Sequence, residues 1–179
     1  MTDVTNGAAL VVYNQPETYG KKEANCYDAA AQQLKNNGQS SIEKKWAIEV
    51  QVDNPLQTKY NRPQLDKNAI GAAIYIRTEL NKCHGVLVGL EEINSNGTFS
   101  YEKNYNVLTG HFVMINSSTG IDSDGKMAFG YMDNASAACG ISNGNKLSLN
   151  FTTGSMRDDS NPCVGGPTAY QVTEVRKNQ

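Results

Sequence analysis

Two segments of the chain carry apolar residues at helical spacing. The first runs from Asn25 to Gly38 and is rich in alanine, the residue with the highest helix propensity. Asn25 is a good N-cap, because its side-chain oxygen can accept a backbone N–H of the first turn, and Gly38 suits the C-terminal end. The second helix is predicted from Asp66 to Asn81, where one stripe recurs at helical spacing. The stripe consists of Ile70, Ala73, Ile74, Arg77 and Leu80.

The other apolar segments are short, and several alternate with polar residues, which is typical of strands. Residues 8–13 fit either a strand or a buried lead-in. The predicted strands after them are residues 46–52, 86–90, 110–116, 126–133, 146–152 and 169–175. The turn-rich sequence between residues 116 and 125 predicts that the strands on either side of it form a hairpin. Helices followed by an antiparallel series of strands predict an α+β fold.

Size and charge narrow the possible functions. The chain has 179 residues, which is enough for one domain, predicted to span residues 1–179. The net charge of -2 offers no electrostatic attraction to nucleic acid or to an anionic membrane surface. No apolar run approaches the roughly 20 residues of a membrane helix. No signal peptide is visible, so we expect that one has been removed or that the protein is exported by a route that needs none.

The spacing of the cysteines argues against a zinc ribbon and suggests a disulfide. None of the four cysteines forms a CxxC pair. Cys139 and Cys163 both lie in sequence rich in Gly, Ser and Asn. We expect these two to form a disulfide, which would suit a secreted or periplasmic location.

Two further segments are weak candidates for metal sites. Cys83 and His84 could bind a metal or form a second nucleophile site, but adjacent side chains at a helix end tend to diverge. Residues 122–125 hold two aspartates of the kind found in calcium loops, without the downstream glutamate. We interpret them as a hairpin turn and expect no cofactor.

Cys26 is the candidate nucleophile. It lies in the first turn of the predicted helix, where unpaired N–H groups and the helix dipole favour a thiolate. The alternatives are a buried cysteine that packs as a small apolar residue and one half of a disulfide.

His111 and Asp133 are the candidate partners of Cys26. Histidine is the usual base for a cysteine nucleophile, and the chain has only 2 histidines. His111 opens one strand of the predicted hairpin and Asp133 ends the other, so antiparallel pairing would make them neighbours. Asp133 could then orient the imidazole ring. Alternatively, His111 is a surface or core residue and Asp133 only begins a turn.

Short motifs resemble a family of known enzymes. Asn25-Cys26 at the start of an alanine-rich helix resembles the nucleophile segment of papain-fold bacterial cysteine peptidases and amidases, the bacteriocin-processing and NlpC-like groups. Residues 80–90 are similar to the strand that precedes the histidine in the bacteriocin-processing type. Residues 110–115 resemble the Gly-His-aliphatic strand, and residues 131–134 resemble the acid segment.

The resemblance, which covers roughly residues 20–135, implies a papain-like fold with the nucleophile helix packed on an antiparallel sheet. It implies that Cys26 is the nucleophile, His111 the general base and acid, and Asp133 the orienting residue, with Asn134 as its substitute.

The oxyanion site departs from the family pattern. Papain-like enzymes usually place a Gln or Asn several residues before the nucleophile. The nearest such residues here are Asn25, Gln15 and Asn14, none at the usual spacing. The backbone N–H of Cys26 would supply one donor.

These features together predict a thiol hydrolase that cleaves an amide bond. The resemblance implies a peptidoglycan amidase or endopeptidase used as an antibacterial effector, with a cognate immunity protein as a partner. The alternatives are a protein-directed cysteine peptidase or deamidase toxin and a non-catalytic secreted binding module.

Overall fold

The structure, a computed structural model, describes residues 2–3, 26–36, 42–49, 66–93, 111–133, 145–151, 155–158 and 169–178. Its helices are α1 (Cys26–Asn36) and α2 (Asp66–Asn81). Its strands are β1 (Thr2–Asp3), β2 (Ile42–Glu49), β3 (Val86–Ile93), β4 (His111–Ile121), β5 (Lys126–Met132), β6 (Lys146–Asn150), β7 (Ser155–Asp158) and β8 (Ala169–Asn178). Within this part of the chain, no helix is long and apolar enough to span a membrane.

Six of the strands form a closed antiparallel barrel. The order around the barrel is β4, β3, β8, β7, β6 and β5, and β5 closes the ring by pairing with β4. β1 pairs with the C-terminal half of β4, and β2 pairs with the C-terminal half of β8. Closure leaves every strand of the ring with a partner on both sides, which removes the exposed edges of an open sheet.

The barrel corrects the predicted fold class. The expectation of an α+β, papain-like fold is wrong, because the described residues form mostly sheet and the sheet is closed. Closure depends on β8, which returns from the end of the chain to pair with β3. It also depends on β7, a strand of 4 residues that links β6 to β8 and was not predicted. Neither pairing has a local signal in the sequence.

The main core fills the barrel interior and is covered by α2. Alternate strand residues such as Val88, Val113, Phe129 and Leu147 point inward and are fully buried. The side chains that α2 adds to this cluster are Ala69, Ala72, Ala73, Ile76 and Leu80.

The buried face of α2 differs from the predicted stripe. Ala73 and Leu80 are buried as expected, but Ile70 and Ile74 are 40% and 63% exposed. The helix instead turns its small residues, such as Ala69 and Ala72, toward the barrel. The predicted stripe was therefore right for Ala73 and Leu80 and wrong for Ile70 and Ile74, because alanines as well as large residues form the buried face of α2.

A second, smaller core attaches α1 to the outside of the barrel. Ala30 and Leu34 of α1 pack against outward-facing residues of three strands, namely Leu87, Met114 and Met132. Gly85 lies beneath this contact: a Cβ there would be 2.9 Å from the Met114 Sδ and 3.0 Å from the Leu34 Cδ2. The missing side chain therefore allows α1 to approach the sheet.

Cys83 occupies the left-handed position that ends α2. Its φ is 60°, and the Cys83 N–H donates to the Leu80 carbonyl at 3.0 Å while the His84 N–H donates to the Glu79 carbonyl at 2.9 Å. This is the Schellman pattern, in which glycine is the usual residue. The His84 Nδ1 lies 3.0 Å from the Glu79 carboxylate. Among the described residues, no group of three or more Cys, His, Asp or Glu is arranged to hold a metal ion.

We expect Cys83→Gly to stabilise the protein. Relief of about 1–2 kcal/mol of left-handed strain should exceed the ~0.4–1 kcal/mol lost because glycine is freer in the unfolded chain. The net gain in the free energy of unfolding should be about 0.5–1 kcal/mol, measured by urea denaturation. Cys83→Ala removes the thiol but keeps the Cβ. An equal gain in Cys83→Ala would show that backbone strain is not the cause.

Candidate active site

The β4–β5 hairpin carries the histidine and the aspartate, and its predicted pairing is confirmed. The register joins Met114 to Met132 and Ile115 to Tyr131. At the closed end, the Asp122 carboxylate accepts the backbone N–H groups of Asp124 at 3.0 Å and Lys126 at 2.8 Å. Residues 122–125 therefore form the predicted hairpin turn. The other end of the hairpin is open, and His111 and Asp133 lie there.

His111 and Asp133 form a buried contact. The distance between the His111 Nε2 and the Asp133 Oδ1 is 2.9 Å, and the two residues are only 7% and 1% exposed. A hydrogen bond between these groups is strengthened when the imidazole is charged. It also fixes which ring nitrogen faces the carboxylate, so the other nitrogen, Nδ1, is left for a different partner.

Cys26 is that partner. It is the first residue of α1, and its side chain hydrogen-bonds to His111. The sulfur also accepts the backbone N–H groups of Phe112, next to His111, and of Tyr27. The structure thus brings together the three residues proposed for catalysis. Cys26 is half-buried and forms no disulfide, so the disulfide alternative for this residue does not apply.

The contacts favour the charged forms of both Cys26 and His111. Burial alone would raise the pKa of Cys26, but the His111 hydrogen bond, the imidazolium charge and the two backbone N–H groups together lower it below its ordinary value. Burial likewise opposes a charged His111, but the bonds to Asp133 and Cys26 raise its pKa to about 9. Each charged form stabilises the other, so the contacts shift the balance toward a thiolate–imidazolium pair.

A Cys–His–Asp arrangement of this kind can supply a nucleophile together with its own proton donor. No family model matches this chain, and comparisons with curated proteins and with solved structures return no match. The chemistry of the site is therefore inferred from its geometry.

Aromatic residues around the site were not predicted. Tyr27 meets Phe112 edge to face, with ring centroids 5.1 Å apart, and the Arg176 guanidinium lies 5.9 Å from the Phe112 ring. On the other side, Tyr170 stacks on His111 with centroids 5.7 Å apart. Tyr27 directly follows Cys26 in the sequence, and this position could have indicated that Tyr27 lies at the site. Tyr170 gives no such signal, because its contact depends on barrel closure.

Several predicted site residues lie outside the described part of the chain. They are Gln15, Asn25, Asn134, Cys139 and Cys163. The oxyanion side chain, the substitute for Asp133 and the disulfide therefore stay predictions.

The pH dependence of alkylation tests the ion pair. Because the pKa of Cys26 is lowered, its reaction with iodoacetamide should reach half its maximal rate at a lower pH than that of an ordinary cysteine, whose pKa is ~8.5. His111→Ala should move that midpoint upward. Peptide mapping by mass spectrometry measures each thiol separately, and Cys83, at the far end of α2, serves as the internal reference. If His111→Ala leaves the Cys26 midpoint unchanged, the ion pair is not present.

Proposed function

We propose that the protein is a cysteine hydrolase that cleaves an amide bond. The observation that carries the proposal is the contact of 2.9 Å between His111 and the buried Asp133, with Cys26 hydrogen-bonded to the same imidazole. Bringing two buried ionisable groups and a half-buried thiol together at one point costs free energy, so an arrangement of this kind is more typical of a catalytic site than of packing.

The proposed reaction begins with attack of the Cys26 thiolate on the amide carbonyl carbon. The tetrahedral intermediate collapses as His111 donates its Nδ1 proton to the leaving amine, which leaves a thioester on the sulfur. Neutral His111 then takes a proton from water as the water attacks the thioester. Release of the carboxylic acid restores the thiolate and the imidazolium. Asp133 holds the ring and stabilises its charge throughout.

The N-terminal end of α1 is suited to stabilise the oxyanion. The first N–H groups of a helix have no partner within the helix, and the helix dipole is positive at this end. We propose that the Cys26 N–H is one oxyanion donor, because the developing charge would form beside it. Asn25 and Gln15 are the proposed side-chain donors.

For the substrate, we propose the peptide amide bonds of peptidoglycan. The support is the resemblance of residues 25–26 and 110–115 to segments of bacterial cysteine peptidases and amidases, and it does not extend to the fold. A secreted or periplasmic antibacterial effector would fit this substrate and the proposed Cys139–Cys163 disulfide. An immunity protein that blocks the site would be its partner.

Digestion of purified peptidoglycan tests the substrate. The wild type should release soluble muropeptides, and Cys26→Ala should lower the rate at least 10³-fold, because removal of the nucleophile stops the covalent route. Cys83→Ala, which lacks the other described thiol, should match the wild type. Products are separated by chromatography and identified by mass.

Identical products from the wild type and Cys26→Ala would sink the cell-wall assignment. Protein substrates, assayed for new N-termini and for released ammonia, would then test the peptidase and deamidase alternatives. A failure of these assays as well, with a sluggish Cys26 in the alkylation experiment, would favour the binding module.

The rate of peptidoglycan digestion should fall at both low and high pH, which gives a pH profile with an acidic and an alkaline limb. At low pH the thiolate becomes protonated, and the lowered pKa of Cys26 sets that limb below its ordinary value. At high pH the imidazolium loses the proton that the leaving group needs, and this limb should lie near pH 9. Asp133→Asn should lower kcat/KM roughly 100-fold and move the alkaline limb to lower pH, because the carboxylate raises the His111 pKa. An alkaline limb that stays in place would contradict the assigned role of Asp133.

A further inference from the structure

The inner face of the barrel carries a polar cluster beside the His111–Asp133 pair. The Tyr131 hydroxyl donates to the Asp158 Oδ2 at 2.9 Å, and the Lys146 backbone N–H donates to the same oxygen at 3.2 Å. Asp158 is 0% exposed. Its neighbours on the inner face are mostly apolar, so burying a carboxylate here costs free energy. Its presence therefore indicates a role that an apolar side chain could not fill.

The cluster adjoins both members of the catalytic pair. Tyr131 lies on β5 two residues before Asp133, which directly follows the end of that strand, and the Tyr131 side chain belongs to the barrel core. Asp158 on β7 is the register partner of Tyr170 on β8, and the Tyr170 ring stacks on His111 with an angle of 27° between the ring planes. Tyr131 on β5, Asp158 on β7 and Tyr170 on β8 thus belong to one region of the barrel wall, and this region includes the ring that stacks on the imidazole.

Stacking of Tyr170 on His111 restrains a motion of the imidazole ring that the hydrogen bond to Asp133 alone does not prevent. The bond from Nε2 to Asp133 fixes one nitrogen of His111, but the ring can still turn about the axis of that bond. The side chain reaches only as far as its two torsions allow, and the second of these is broad for histidine. A flat ring stacked on the imidazole, with 27° between the two planes, limits this turning and so keeps Nδ1 directed at Cys26.

We propose that Tyr170 is a positioning residue for His111, and that the Tyr131–Asp158 pair holds this part of the barrel wall in place for it. The proposal rests on the proposed function. Among the described residues, the titratable groups that contact His111 are Cys26 from α1, Asp133 just after β5 and Tyr170 from β8. The two register partners of Tyr170 are also titratable, namely Asp158 on β7 and Glu92 on β3. β3 places the apolar Leu90 opposite His111.

The pH profile of Cys26 alkylation tests the proposal without any substrate. Tyr170→Leu keeps an apolar side chain but removes the flat ring. It should raise the alkylation midpoint by about one pH unit and so lower the rate about tenfold at pH values below the wild-type midpoint, because the ion pair forms less often. Tyr170→Phe keeps the ring and should recover most of that loss. On peptidoglycan, Tyr170→Leu should lower kcat and leave KM nearly unchanged.

Two results would overturn the proposal. A stable Tyr170→Leu variant with the wild-type alkylation midpoint would make the ring a packing residue only. A Tyr170→Phe variant as impaired as Tyr170→Leu would assign the effect to the hydroxyl and not to stacking.

Asp158→Asn tests the role of the Tyr131–Asp158 pair independently of the Tyr170 ring. It also keeps the proposal testable if Tyr170→Leu does not fold. It keeps the shape of the side chain but weakens the bonds from Tyr131 and Lys146. The midpoint should move in the same direction by a smaller amount, about half a pH unit or roughly threefold in rate below the wild-type midpoint. An unmoved midpoint would count against the proposal. A shifted midpoint in a protein that does not digest peptidoglycan would uphold the positioning role while the substrate assignment fails.

Discussion

The register of the β4–β5 hairpin is the constraint on which the site depends. Side chains alternate between the two faces of a strand, so a slip of one residue would move His111 or Asp133 to the opposite face. The register is held by apolar burial, since Val113 and Ile115 on one strand and Tyr131 on the other fill the barrel interior. The packing that stabilises the fold is therefore the same packing that sets the contact between the histidine and the aspartate.

The site joins two layers that have separate cores. His111 and Asp133 belong to strands whose inner face lines the barrel, whereas Cys26 belongs to a helix packed on the outside. They meet at the open end of the hairpin, beyond Met114 and Met132, the last residues through which β4 and β5 pair. There the Phe112 N–H donates to the sulfur. Neither core alone would complete the site.

Local signals predicted much of this structure, and contacts between distant segments account for what was missed. The bounds of α2 and the positions of β3, β4, β5, β6 and β8 follow from apolar spacing and turn residues. The nearness of His111 and Asp133 followed from one hairpin. Barrel closure did not, because it needs β8 to find β3 and the short β7 to join β6 to β8. The stacking of Tyr170 on His111 was missed for the same reason.

Gly85 influences the site through the position of α1. Leu34, the residue of α1 that reaches closest to Gly85, lies eight positions after Cys26, or about 12 Å along the helix axis. A methyl group added at position 85 would meet the Met114 Sδ at 2.9 Å and the Leu34 Cδ2 at 3.0 Å, so these side chains would have to move. The packing of α1 on the sheet, and with it the placement of the Cys26 sulfur, thus depends in part on a side chain that is absent at the opposite end of the helix.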